Sequence, residues 1–229
     1  IMFTILDFEF NQAFSMNNGK DMVNPKCRFE IIQIGAVKVD DNYDIVDEFN
    51  ILIKPNIYPN IHPFVEKITG FTDKDFKYKP YFPEAFKKFR RFLGNDTLLG
   101  TWGYSDIRAL FRNLTYYNIA TEPMIIEYVD IQKMATQHLK YSKGGAIGLK
   151  NAVEAFNIDI ERPFHHAQDD AYYTAKVLKK IAPEKLPVRI FNSSHLKPKK
   201  VQENRIQAVK CRRSKSNRTR KSKWFIKRQ

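Results

Sequence analysis

Cysteine is scarce. Cys27 and Cys211 are the two in 229 residues. A pair so far apart, with one member in a basic tail, makes neither a disulfide framework nor a zinc site. A reducing, cytoplasmic setting is the expected one. Long apolar runs are missing as well. No stretch reaches roughly 18 apolar residues, so no membrane-spanning helix is expected. The N-terminus has no basic n-region or small-residue cleavage site, and it runs directly into a β-like segment, so a secretory signal is not expected. No internal repeat is visible. The length suits one substantial core with a modest extra segment.

Acidic residues are nearly absent from the C-terminal stretch. Residues 196–229 hold 14 Lys or Arg and one acid, Glu203, out of 39 basic and 25 acidic residues in the chain. The rest of the chain therefore carries 25 basic and 24 acidic residues and is close to neutral. Of the formal charge of +14, all but one unit belongs to the tail. Such a tail implies a polyanionic partner, either nucleic acid or an anionic surface. Domain organisation follows: a folded body over 1–185, then a basic extension over 186–229 that either binds nucleic acid or stays mobile.

Hydrophobic pattern supplies the elements. Phe3–Phe10, Phe29–Asp40 and Ile45–Lys54 read as strands, and the short turn after Asp40 suggests an antiparallel meander. Thr97–Thr101 and Met124–Val129 read as two more. Helices are expected over Phe64–Thr69, Tyr81–Phe92, Tyr104–Tyr117, Ile131–Leu139, Leu149–Phe156 and Ala167–Ile181. Strands first as a meander and then alternating with helices predict an α/β fold. Its mixed five-stranded sheet has three antiparallel and two parallel strands, with helices flanking it.

Four acids stand out. Asp7 and Glu9 lie two apart on a strand, so their side chains share a face. They could mark an exposed edge with polar residues outward. They could also be crowded carboxylates, whose repulsion a hard divalent cation relieves. Asp106 begins the apolar stripe Ala109, Leu110, Leu114, Tyr117, with Arg108 and Arg112 off that stripe. It is either a first-turn acid meeting the helix dipole or a functional acid facing inward. Asp170 begins the apolar stripe Tyr173, Thr174, Val177, Leu178, Ile181, whereas Asp169 falls on a solvated face. His165 lies five residues before Asp170, on a loop able to swing over an adjoining site. His166, its neighbour, is the blander member of the doublet.

Asp7-Phe8-Glu9, then Asp106 in a Thr-Trp-Gly-x-x-Asp setting, then His-x4-Asp resembles the DEDDh exonucleases, which have an RNase H-like fold. Glu30–Val37, Ile68–Thr72 and Leu149–Ala152 strengthen the likeness, which covers about residues 2–182. Each motif alone is weak; their order together is specific. The branch looks similar to KapD-like and Eri-type enzymes. The basic tail matches nothing in the family.

The resemblance implies a 3′→5′ exonuclease acting on single-stranded RNA or DNA with a free 3′ end. It implies two divalent ions, Mg²⁺ or Mn²⁺. Asp7, Glu9 and Asp170 would hold the first, and Asp7 and Asp106 the second. His165 would be the general base, and nucleoside 5′-monophosphates would be released. Thr69, Gly70 and Phe71 would wedge against terminal bases, although Phe71 could equally be a core plug. The Phe10 amide would meet the terminal sugar. Trp102 would pack beside the Asp106 helix, in the core or near substrate.

In the tail, Arg212, Arg213, Lys215, Arg218, Arg220, Lys221 and Lys223 could neutralise phosphates of structured nucleic acid without regard to sequence. A solubilising or membrane-surface tail has the same composition. Two other functions remain open: a polymerase-associated DNA proofreading or repair exonuclease subunit, and a non-catalytic nucleic-acid-binding module of the same fold. The five catalytic residue types argue against the last.

Overall fold

In the computed structural model, the described residues are 3–14, 22–95, 98–119, 125–141 and 144–196. Two units are separable, Ile1–Ser193 and Ser194–Gln229. The tail cations named above lie outside the described residues.

Ile, Val and Phe at alternating positions draw three long strands into a meander. These are β1 (Phe3–Gln12), β2 (Phe29–Val39) and β3 (Ile45–Leu52). β4 (Leu98–Thr101) and β5 (Ile125–Asp130) add to the far side of β1. The sheet order is β3-β2-β1-β4-β5-β6. β1–β2 and β2–β3 are antiparallel, while β1–β4 and β4–β5 are parallel.

The expected count of five strands is corrected to six. β6 (Val188–Asn192) pairs antiparallel with β5. It follows Pro183 and Pro187, and its alternation is short: Phe191 is buried while Val188 and Ile190 stay exposed. Five residues with one buried apolar side chain give little periodic signal.

Among the described residues there are six α-helices: α1 (Pro63–Thr69), α2 (Phe82–Leu93), α3 (Ser105–Tyr116), α4 (Ile131–His138), α5 (Leu149–Ala155) and α6 (Ala167–Ile181). α4, α5 and α6 share one core with Phe3, Ile5, Val37 and Val39 of the sheet. α2 packs on β2 and β3, and α3 packs on β2.

Buried polar side chains tie α3 and the loop ahead of α1 to the sheet. Asn113 of α3 donates to the Phe29 carbonyl at 3.0 Å and accepts from Ile31 N at 3.1 Å. Asn11 of β1 donates to the carbonyls of Tyr58 and Asn60 and accepts from His62 N, which holds the chain leading into α1. Glu30 accepts from the backbone amides of Asn56, Ile57 and Tyr58 at 2.7–2.9 Å. Burial pushes the Glu30 pKa up, and those three amides partly offset it.

The tightest approach is between β2 and α6. A Cβ built on Gly35 would lie 2.0 Å from the Ala167 carbonyl carbon and the Gln168 nitrogen. Here glycine is a requirement of space. Gln33, two residues earlier on the same face, accepts a hydrogen bond from Ala167 N at 3.0 Å. It satisfies one of the amides that a helix start leaves free. Gly35 thus sets how closely α6 approaches, and Gln33 fixes its start.

Gly35→Ala is expected to lift the start of α6 and cost about 3 kcal/mol, the upper part of the overpacking range. Urea unfolding measures this. A variant with unchanged midpoint and slope would contradict the contact.

Candidate active site

Register carries that close approach to the acids. Asp7 pairs with Gly35 and Glu9 with Gln33 across β1–β2. Opposed residues of an antiparallel pair share a face. The first turn of α6 therefore descends onto the face that bears Asp7 and Glu9. Asp170 sits in that turn. One carboxylate oxygen from each of Asp7, Glu9 and Asp170 lies within 4.8 Å of the others.

Asp106 enters from α3, whose first turn follows the end of β4. It is 6% exposed. It stands outside the tight trio but presses on it electrostatically, since its charge helps raise the pKa values of Asp7 and Glu9. Three of the four expected acids thus meet tightly, and Asp106 lies near enough to act on them by charge, on the side where α3 follows the end of β4; open α/β sheets bind ligands beyond the carboxyl ends of their strands.

The grouping is costly. Burial, and then the charges of Asp106, Asp170 and Glu9, push the Asp7 carboxyl well above its ordinary range. Glu9 is pushed up to about 8 by burial and then by Asp170 and Asp106. Asp106 rises to about 7 through burial and the Asp170 charge. Asp170 rises to about 7 through burial, although the His165 amide pulls it down. Asp170 Oδ1 is buried with no hydrogen-bond partner among the described residues. An unpartnered carboxylate oxygen within a set of hard oxygen donors fits a divalent cation.

The loop ahead of α6 carries the histidines. His165 is exposed, and its amide donates to Asp170 Oδ2 at 3.3 Å. Its φ is +68°. A non-glycine residue held there costs on the order of 1–3 kcal/mol, so its surroundings must hold it. They do. The Tyr173 hydroxyl accepts from the amides of Glu161 and Arg162 and donates to the Arg162 carbonyl. Phe164 stacks on the Tyr173 ring at 4.8 Å. The Arg162 guanidinium forks onto both Glu48 oxygens at 2.9 and 3.0 Å and lies 3.9 Å over the Tyr172 ring.

Sequence pattern gave Arg162, Glu48, Gly35 and Gln33 no role of their own, because the partners that define them lie 114 to 134 positions away. It also undervalued His166 and Asp169. Asp169 faces Arg162 at 3.6 Å and does not simply meet water. His166 Nε2 lies 3.1 Å from the Thr69 carbonyl, and its ring packs on Phe71 at 4.9 Å.

The expected wedge is a tight corner. Gly70 ends α1 with φ +73°. The Thr69 hydroxyl donates to the Val65 carbonyl and accepts from Phe71 N. Phe71 is half-buried, with one edge on Phe76. Trp102 packs against the core shared by α4, α5 and α6.

Between α1 and α3 lies a pocket of about 280 Å³. Glu9 and Phe10 line it, and so do Phe29, Phe64 and Ile68. Ser105, Arg108, Ala109 and Arg112 form its α3 wall. Arg108 and Arg112 were set aside in the sequence because they fall off the Asp106 stripe. Their spacing with Ser105 and Ala109 was the available signal.

A family model described as exonuclease, RNase_T, matches residues 4–178. The chain is 28% identical over 177 residues to the DNA polymerase III PolC-type protein of Clostridium perfringens, a match spanning 77% of this chain and 11% of that protein. It is 26% identical over 157 residues to the DNA polymerase III subunit epsilon of Aquifex aeolicus, spanning 68% of this chain and 73% of the relative. Among solved structures, the nuclease domain of 3′hExo, a DEDDh family member bound to rAMP, matches with a TM-score of 0.66 at 22% identity, over 83% of this chain and 96% of that one. The Mg²⁺- and Mn²⁺-bound form of S. pombe Pop2p matches with a TM-score of 0.54 at 18% identity, over 78% and 81%.

The raised carboxyl pKa values have a consequence for stability. At low pH the folded and unfolded chains are both protonated at these acids, and their contribution is fully retained. As pH rises toward 7–8 the folded site must ionise against burial and repulsion, and that contribution is lost. A cation bound to the ionised cluster reverses the loss. Mn²⁺ at a hundredfold excess over Kd is expected to add about 2.7 kcal/mol at pH 8, and much less at pH 5. Thermal melts with and without Mn²⁺ at both pH values test this; an increment independent of pH would refute it.

Proposed function

The chain belongs to the RNase_T family of exonucleases, and from that premise we propose that it removes nucleotides one at a time from the 3′ end of single-stranded RNA or DNA. The observation that carries this reading is the convergence of Asp7, Glu9 and Asp170 within 4.8 Å, with Asp106 pressing on them from α3.

In this reading a water oxygen attacks the last phosphorus. The bond from phosphorus to the penultimate 3′ oxygen breaks, and a nucleoside 5′-monophosphate leaves. Asp7, Glu9 and Asp170 would hold one divalent ion, and Asp7 with Asp106 would hold a second, Mg²⁺ or Mn²⁺. Such ions, when bound, neutralise the anionic phosphoryl group and lower the pKa of the attacking water. An imidazole nitrogen of His165 accepts the water's proton. The strained loop ties the His165 backbone to Asp170 through its amide. Catalysis is then chiefly positioning and charge neutralisation.

The terminal nucleoside enters the pocket beside Glu9. Phe10 and Phe64 offer aromatic faces there, and base stacking on such faces contributes about 1–3 kcal/mol per base. The Phe71 corner braces the strand beside the α6 loop. The body over 1–185 performs this chemistry. The basic extension supplies affinity for longer or structured nucleic acid through Arg212, Arg213, Lys215, Arg218, Arg220, Lys221 and Lys223. The polymerase III relatives support a second reading, in which the same chemistry trims DNA ends alongside a polymerase.

Asp7→Asn is expected to abolish cleavage of an end-labelled strand while filter binding persists. His165→Ala should lower kcat roughly 10²- to 10⁴-fold with little change in KM. EDTA should stop the reaction and Mg²⁺ or Mn²⁺ restore it; undiminished cleavage by Asp7→Asn would remove the assignment. Truncation before residue 196 is expected to weaken binding of a long strand more at low salt than at high salt, and to spare a dinucleotide. Equal losses on both substrates would assign the tail to the catalytic body.

A further inference from the structure

The pocket between α1 and α3 has a chemical polarity. Glu9 closes the end nearest the carboxylate cluster. Arg108 and Arg112 stand progressively farther along α3; at a rise of 1.5 Å per residue, Arg112 is about 10 Å beyond Ser105 along the axis. Arg108 is exposed and Arg112 is half-buried. Neither guanidinium has a hydrogen bond or ion pair with a described residue. The surroundings are mostly apolar and aromatic. Phe64 is 57% exposed and Phe29 36%. The Arg28 guanidinium lies 5.4 Å from the Phe29 ring centre, adding a third cation to this side.

Open aromatic faces beside uncommitted guanidinium forks suit a flat ligand with acceptors on its edge. We propose, resting on the nuclease reading above, that Arg108 and Arg112 read the edge of the 3′-terminal base and make the pocket selective for guanine. A guanidinium presents donors in a rigid planar fork. Guanine offers O6 and N7 as adjacent acceptors, whereas adenine places an amino donor beside N7. Against adenine the fork meets one acceptor and a facing amino donor, so one of its two hydrogen bonds is lost. The scissile phosphate belongs at the opposite end, beside Glu9, where cations would meet it. The arginines therefore face the nucleoside and not the reacting phosphate.

The test compares kcat/KM on single strands that differ only in the last base, in RNA and DNA versions. A strand ending in guanine should be shortened roughly tenfold faster than one ending in adenine, within the range expected of a bidentate pair. The double variant Arg108→Lys, Arg112→Lys keeps both charges and loses both forks. Its guanine-to-adenine ratio should fall to near one. Equal rates on all four bases in the unaltered protein would overturn the proposal, as would a ratio that survives the lysine exchange. Alanine at both positions could instead slow all four bases alike and reduce the salt slope by about one per arginine. That outcome would make them phosphate contacts and also overturn it. If the unaltered protein cleaves no strand, the nuclease reading fails separately. Calorimetric binding of GMP and AMP in Ca²⁺ then decides the pocket. GMP binding roughly tenfold tighter, with the difference lost in the lysine variant, supports the proposal, and equal affinities end it.

Discussion

Mutual repulsion among four carboxylates, two buried and two half-buried, is the constraint on which the rest of the structure depends. Asp7, Glu9, Asp106 and Asp170 come from two helices and a strand, and no two of these elements are joined by a short turn. Left to themselves, like charges in a poorly solvated space would separate or take up protons. The raised pKa values of all four record that pressure. What resists it is packing elsewhere. The α6 helix is buried through Ala171, Tyr173, Ala175, Val177 and Leu178, and Asn113 holds α3 to the end of β2. In the proposed reading, divalent cations would relieve that repulsion.

The same arrangement explains why the surrounding residues are so specific. Gly35 has no side chain because α6 occupies that space. Gln33 is buried because the start of α6 needs an acceptor. The loop before α6 is held on one side by Tyr173 and Arg162, and on the other by His166 against the Thr69 carbonyl. His165, between these anchors, carries a left-handed backbone and an exposed side chain. Among the described residues, the bonds of the loop go through its neighbours and the His165 amide.

Much of this was legible beforehand. Asp7 and Glu9 were readable because strand period forces residues two apart onto one face. Asp106 and Asp170 were readable because each begins an apolar helical stripe, where an acid needs a reason. The meander and α6 were readable from strong periodicity. β6 was not, since one buried Phe191 in five residues carries too little pattern. Arg108 and Arg112 were in plain view at helical spacing, yet judged only by the stripe they missed. The wall they form needs α1 opposite, and that pairing is set by Asn11 gripping a loop some fifty residues away.

The sequence by itself determined the local facts: which residues form strands and helices, which face each acid takes, and how a near-neutral body differs from a basic tail. These follow from backbone periodicity and composition, which act over a few residues. Only the tertiary structure decided that the acids meet, that α6 rests on a glycine, and that the loop histidine is held in a strained turn. Such facts depend on how closely surfaces distant in sequence approach in space. Close approach is a property of packed volumes, to which a linear pattern of residues is blind.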